Sequence, residues 1–240
     1  MTTTRAVKTA PKSIPKRLFE LERRWDYFNL GVLLFALGSI FGTYYESIFM
    51  YVALYLEQGI KLWLPRSGLI YGPFSPVYGA GVLLAFIVIC IWRDKRWWQY
   101  YIAGFFIGGV LEWLMATLQE LLFGTRSWDY SDKFMNIGGK TAVPYMFLWG
   151  ALFTAFIYLI FPLVLRIYQR LPWRLSNVIF GALAVFLIFD IAVSSVATFR
   201  QNLRRQGIEP RNFIERYCDE HFTDEYLHTI YENAVPVERS

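Results

Sequence analysis

The sequence predicts an all-α integral membrane protein with about five membrane-spanning helices. Hydrophobic residues make up 55% of the 240-residue chain and charged residues only 18%, which is a low charged share for a soluble domain. The charges cluster between apolar runs of about 18 residues or more, the length that crosses a bilayer. Five such runs lie at residues 27–56, 76–92, 98–123, 142–168 and 174–199. We therefore expect a basic N-terminal tail (1–26), a five-span membrane domain (27–199) and an amphipathic C-terminal tail (200–240).

Each run has features of a membrane helix. The first is longer than a bilayer requires, which predicts a tilt or a protruding end. The second begins at Pro76, and the third begins near Trp97 and Trp98, an aromatic pair typical of the membrane–water interface. Glycines in the third run are spaced for close helix packing: Gly104, Gly108 and Gly109. The fourth run contains Pro162, and the fifth contains Asp190.

Basic residues between the runs predict the orientation, because Lys and Arg concentrate on the cytoplasmic side. The segments before the first run, after the second and after the fourth carry the larger share: Lys16, Arg17, Arg23, Arg24, Arg93, Lys95, Arg96, Arg166, Arg170 and Arg174. The N-terminus is therefore predicted to be cytoplasmic and the C-terminus to lie outside. Three arginines directly after the fifth run oppose this orientation: Arg200, Arg204 and Arg205.

Composition and motifs disfavour several function classes. The net charge of +5 comes from residues that border the apolar runs, so it does not indicate nucleic-acid binding. Gly139-Lys140-Thr141 is part of a phosphate-loop pattern, but Phe134 stands where that loop requires its first glycine. No hydrolase or metal-site motif is present. We expect no metal, no cofactor and no ATPase activity in this chain, and the sequence favours a protein that is not an enzyme.

Four carboxyl residues lie inside the apolar runs: Glu46, Glu112, Glu120 and Asp190. An ionisable group there costs several kcal/mol unless it faces a polar interior, and Glu120 lies nearer the end of its run than the other three. Glu46, Glu112 and Asp190 each lie roughly 13–17 Å from the same end of their runs, at about 1.5 Å per residue. Three helices thus offer a carboxyl group at one level, which predicts a shared acidic site. The alternative is that each carboxyl group is a separate hydrogen-bond partner between helices.

Two loops rich in glycine and aromatic residues lie on the side toward which these carboxyl groups are displaced. They are "RSGLIYGPFSPVYGAG" (66–81) and the segment from Arg126 to Lys140. Irregular backbone at membrane depth is tolerated only when it is buried in protein or lines a cavity. Four polar residues of the loops are candidates for the mouth of the acidic site: Arg66, Asp129, Asn136 and Lys140.

These motifs resemble the ABC-transporter type IV, or CmpB-like, family of bacterial membrane proteins. The resemblance rests on Glu46, the 66–81 loop, "LEW" at Glu112 and "LFGTRSWDYSDKFMNIGG". Ser75 stands where the family is expected to have cysteine. The resemblance implies a permease in the bacterial inner membrane, surrounded by lipids, with a separate ATP-binding subunit as partner.

The residues alone leave three classes of function open. The first is a transporter or permease whose acidic site binds a cation or a polar substrate. The second is an intramembrane enzyme that acts on lipid or cell-envelope substrates, with a carboxylate as general base. The third is a membrane scaffold in which the carboxyl groups only hold helices together. Substrate, transport direction and oligomeric state are not predicted.

Overall fold

The computed structural model describes residues 24–92 and 95–237, and it confirms the all-α fold class. Eight α-helices are present in this part of the chain: α1 (Arg24–Gln58), α2 (Pro76–Ile91), α3 (Trp97–Phe123), α4 (Val143–Ala155), α5 (Phe161–Tyr168), α6 (Trp173–Arg205), α7 (Phe213–His221) and α8 (Asp224–Ile230). Strands in the same described ranges are limited to four two-residue segments: β1 (Thr125–Arg126), β2 (Asn136–Ile137), β3 (Thr141–Ala142) and β4 (Val235–Pro236). Most of the predicted N-terminal tail, with its basic residues up to Arg23, lies outside the described residues.

Four helical rods are long and apolar enough to cross a membrane: α1, α3, the combined rod Val143–Tyr168, and α6. The remaining predicted span, the second run at 76–92, corresponds to α2. Helix α2 has 16 residues and is therefore about 24 Å long. This is shorter than the hydrocarbon core of about 30 Å, so the count of five stays a prediction. Helix α6 runs to Arg205, past the residue at which its span was predicted to end.

The combined rod Val143–Tyr168 is interrupted by a π-helix at Phe156–Ile160, between α4 and α5. Pro162 follows directly, at the start of α5. Because proline has no backbone N–H and its ring clashes with the carbonyl four residues earlier, regular α-helical bonding cannot continue through this point. The wider π-turn carries the rod past the proline without breaking it.

Glycines bring the helices into close antiparallel pairs. A Cβ atom at Gly42 of α1 would lie 2.2 Å from the ring of Tyr78 in α2. A Cβ atom at Gly108 of α3 would lie 2.4 Å from the side chain of Trp149 in α4. The close-packing face that the glycine spacing of the third run predicted is therefore confirmed, and it packs against α4.

The connection from α1 to α2 folds back into the bundle. Ser75 donates its backbone N–H to the carbonyl oxygen of Ser39 at 3.1 Å, although α1 continues to Gln58. Nineteen residues of helix correspond to about 28 Å, so residues 59–75 return along α1 over that distance. Leu69 and Ile70 are buried there. We call residues 66–75 the re-entrant segment.

The C-terminal tail closes one end of the molecule. Helices α7 and α8 pack near the end of α6, where Cys218 and Leu227 share a small apolar cluster with Ile70 of the re-entrant segment. Strand β4 pairs antiparallel with β1, which directly follows α3. The tail, the re-entrant segment and the 126–140 loop therefore lie at the same end of the bundle.

Candidate functional site

Glu112 of α3 is buried and accepts hydrogen bonds from two hydroxyl groups. The Tyr130 hydroxyl donates to Oε1 at 3.1 Å, and the Thr141 hydroxyl donates to Oε2 at 2.7 Å. The Trp149 side chain of α4 also interacts with this carboxylate. The carboxylate thus connects the loop, strand β3 and α4 to α3.

Glu46 of α1 has a corresponding arrangement with α2. The Tyr78 side chain interacts with the Glu46 carboxylate. Glu46 is also within electrostatic range of Glu112, which repels it, and of Arg66, which attracts it. Two of the three predicted carboxyl groups and one predicted basic residue therefore lie within electrostatic range, and their common site stays a prediction.

The two carboxylates are held by the same local device. Each glutamate follows a glycine by four residues, as Gly42/Glu46 and Gly108/Glu112, so glycine and glutamate share one helix face. An aromatic side chain of the paired helix lies across each glycine and interacts with the glutamate one turn away. The rings of Tyr78 and Trp149 meet at a centroid distance of 5.7 Å, which joins the two halves.

The 126–140 loop positions Tyr130 over this pair. Strands β2 and β3 form a short hairpin, and its turn has positive φ at both Gly138 and Gly139 (63° and 67°), as a type I′ turn requires. Asn136 accepts from the Gly139 N–H at 3.1 Å. Tyr130 stacks on Tyr145 at 4.4 Å. Burial and the nearby Glu112 carboxylate raise the pKa of the Tyr130 phenol, so it remains a hydrogen-bond donor near neutral pH.

The remaining charged loop residues pair locally. Lys140 binds Glu120 at 2.7 Å, and Arg126 lies between Glu120 and Asp129. Hydrogen bonds from Ser131 lower the pKa of Asp129, and Arg126 adds to this effect. Lys140 and Asp129 therefore stabilise the loop around Glu120.

Asp190 lies near the level of the other acids but has other partners. Asn29 of α1 bonds to Ser176 of α6. Counted from that contact, Glu46 is 17 residues along α1 and Asp190 is 14 along α6, a difference of about 5 Å. Asp190 Oδ1 accepts from the Tyr71 N–H at 3.1 Å.

Asp190 thus holds the backbone of the re-entrant segment through Tyr71. Ser194 bonds to Asp190 and to the Ile70 N–H, so α6 satisfies two backbone groups of that segment. Within the described part of the chain, the interactions of Asp190 include neither Glu46 nor Glu112. A site shared by all three acids stays a prediction.

Sequence reasoning missed the side chains that hold the glutamates: Tyr78, Thr141 and Trp149. The repeated Gly-x-x-x-Glu spacing on two helices could have indicated these aromatic neighbours. A glycine one turn before a buried acid has no side chain, so it leaves room for an aromatic side chain of the neighbouring helix. Residues 24–92 and 95–237 contain no group of three or more metal-ligating side chains that could hold an ion. What the arrangement offers is a pair of carboxylates surrounded by aromatic rings and hydroxyl donors.

Long apolar helices that enclose buried acidic side chains define a polytopic membrane protein with a polar interior. The chain belongs to the family described as "Putative ABC-transporter type IV", whose family model matches residues 33–195. The matched range contains all three predicted acids and both loops. No curated protein and no solved structure matches the chain.

Proposed function

We propose that the protein is the permease component of a transporter that works with a separate ATP-binding subunit. We further propose that Glu46 and Glu112 form its binding site for a cation. The observation that carries the proposal is that these two acidic side chains lie within electrostatic range of each other inside an apolar bundle. A cation between the two carboxylates would reduce their repulsion, and acids at membrane depth often mark ion or substrate pathways.

The proposal gives the third acid a different role. Asp190 and Ser194 hold the backbone of the re-entrant segment, and Arg66 at the start of that segment attracts Glu46. A displacement of the segment would therefore change the charge balance at the pair. Asp190 would act on the site through the segment and not as a cation ligand.

Cation binding is tested by thermal unfolding of the purified protein in Na⁺, K⁺ or choline at constant ionic strength. A ligand at 100 times its Kd stabilises the folded state by about 2.7 kcal/mol. One of the three cations should raise the midpoint for wild type and for Glu57→Gln, a control at an exposed position. Glu46→Gln and Glu112→Gln should lose that rise. Equal shifts in all variants, or no shift in wild type, would overturn the cation site.

A scaffold is the competing function, because the two hydroxyl donors to Glu112 are also what a helix-locking residue would have. Glutamine can replace a carboxylate in hydrogen bonds to hydroxyl donors but cannot bind a cation as strongly. A scaffold therefore predicts that a Glu46→Gln/Glu112→Gln variant keeps full function in cells. Loss of function in a variant that is folded and normally expressed supports the transporter.

The ATP-binding partner is supported by the family and by the missing phosphate-loop glycine at Phe134. Affinity purification from native membranes in mild detergent should recover a second subunit and measurable ATP hydrolysis. Purified protein that hydrolyses a lipid head group without any ATPase would favour the enzyme alternative instead.

The proposed orientation places the N-terminus in the cytoplasm and the loops and tail outside. It is supported by Asp219, which binds both Arg200 and Arg204, so the arginines that oppose this orientation are paired within the tail. A Lys133→Cys variant should react with an impermeant maleimide in intact cells. Reaction only after lysis would reverse the orientation.

A further inference from the structure

Helix α7 has three distinct faces, and one of them is unpartnered. At about 100° per residue, the buried Cys218 lies on the face toward the protein. Exposed Arg216 lies on a second face, about 160° around the axis from Ile214, and exposed Glu220 lies at the border between that face and the third. The third is apolar and open to the surroundings, with Phe213 72% and Ile214 61% exposed.

The inner face is fixed by ion pairs, so the rotation of α7 is set. Both oxygens of Asp219 bind the Arg200 guanidinium at 2.8 Å. The N-cap Asn212 accepts from the Glu215 N–H at 2.9 Å and begins the helix at a defined residue. With the inner face held in this way, the apolar face cannot turn inward.

The position of α7 along the bundle corresponds to the level of lipid head groups. Arg200, which anchors it, lies 27 residues after Trp173 at the other end of α6, or about 40 Å along the axis. A bilayer with its head-group regions is about 40–45 Å thick. A helix at this level has lipid beside it and water beyond it.

The apolar face continues the exposed apolar surface of the bundle. Along α6 that surface reaches Val196 and Phe199, one residue before Arg200. On α7 it continues with Phe213, Ile214 and Tyr217, and aromatic residues with a polar atom are favoured at this depth. Exposed Arg216, on the adjoining face, is placed to meet anionic head groups.

We infer that α7 is an interfacial anchor whose Phe213–Ile214–Tyr217 face is covered by lipid. The polar face with Arg216 then meets water, and the inner face holds the tail on α6. The helix would fix the depth of this end of the bundle in the membrane.

Spin labelling in vesicles of phosphatidylethanolamine and phosphatidylglycerol tests the inference. Full-length protein with Cys90→Ala and Cys218→Ala carries a nitroxide at Ile214→Cys, with Phe213→Cys as a second variant. Arg216→Cys is the control on the polar face, and Ile188→Cys, on the exposed surface of α6, is the lipid reference. Relaxation by oxygen, which partitions into lipid, is compared with relaxation by a water-soluble nickel chelate.

The ratio of oxygen to nickel accessibility should be several-fold higher at 213 and 214 than at 216, and it should approach the ratio at 188. Equal ratios at 214 and 216 would show that the face meets water, as a site that awaits a protein partner would. Labels shielded from both reagents would show that a second copy covers the face. Either result would overturn the lipid assignment.

Discussion

The ion-pair network that holds the tail gives the sharpest prediction. Asp219 accepts two hydrogen bonds from Arg200, both at 2.8 Å, and one from Arg204 at 2.7 Å. The Arg200 side chain is only 2% exposed, whereas that of Asp219 is 23% exposed. Removing one partner of a buried pair costs about 3–5 kcal/mol, because the other charge stays buried. The partial exposure of Asp219 places Asp219→Asn near the lower end, at about 3 kcal/mol.

The thiol of Cys218 reports this cost directly, because it is buried under the tail and reacts only when α7 lifts. At about 1.4 kcal/mol per tenfold change, Asp219→Asn should label roughly 100-fold faster than the parent protein. Both carry Cys90→Ala, and each rate is divided by that of the same variant unfolded in SDS. This division removes the direct effect of the Asp219 charge on the thiol.

Asp224→Asn is the matched control for the same measurement. Its carboxylate also binds Arg204 at 2.8 Å, but it is 51% exposed, and exposed pairs contribute about 0–1 kcal/mol. Labelling should therefore rise less than about fivefold. If Asp219→Asn labels no faster than Asp224→Asn, the buried pair does not hold the tail and the reasoning fails.

Three further predictions concern other parts of the molecule. Hydrogen bonds from its arginine partners lower the pKa of Asp219. The stability that the ionised Asp219 contributes to the docked tail is therefore fully present above the unfolded pKa of about 3.9, and it is lost as the pH falls through the lower folded pKa. Pepsin should accordingly cut the tail faster only below about pH 4. Thr141→Val removes the 2.7 Å bond to Glu112 and should cost about 1–3 kcal/mol in thermal unfolding, whereas Thr141→Ser should keep most of it. Gly79→Ala places a Cβ 2.2 Å from a serine hydroxyl of α1 and should cost about 1–3 kcal/mol; Gly181→Ala meets nothing within 4 Å and should be neutral or stabilising.

The membrane helices were predictable because each corresponds to a long apolar run of the sequence. The C-terminal end of α6 was not predictable in this way. The apolar pattern stops at Phe199, but helix α6 continues to Arg205. Its last turns carry Arg200 and Arg204, which find acidic partners in the tail. A hydropathy profile does not reveal such a partner, because Asp219 lies 19 positions after Arg200 and 15 after Arg204.

The candidate site shows a similar limit. Counting residues placed Glu46 and Asp190 near one level, since helical rise is constant. Which acids face one another depends on the rotation and the packing of each helix, and these are set by contacts such as Trp149 on Gly108. Such contacts place Glu46 and Glu112 within electrostatic range of each other, while Asp190 serves the re-entrant segment.

The pairing of β4 with β1 has a consequence for how the protein is made. Val237 donates to the carbonyl of Gly124, and Val235 pairs with Arg126, residues about 110 positions earlier in the chain. A ribosome adds about 5–20 residues per second, so the segment after α3 waits roughly 5–20 s for its strand partner. The membrane helices can all be inserted before this end of the molecule closes. A chain that stopped before Val235 would therefore be fully inserted, but its 124–126 edge would be unpaired.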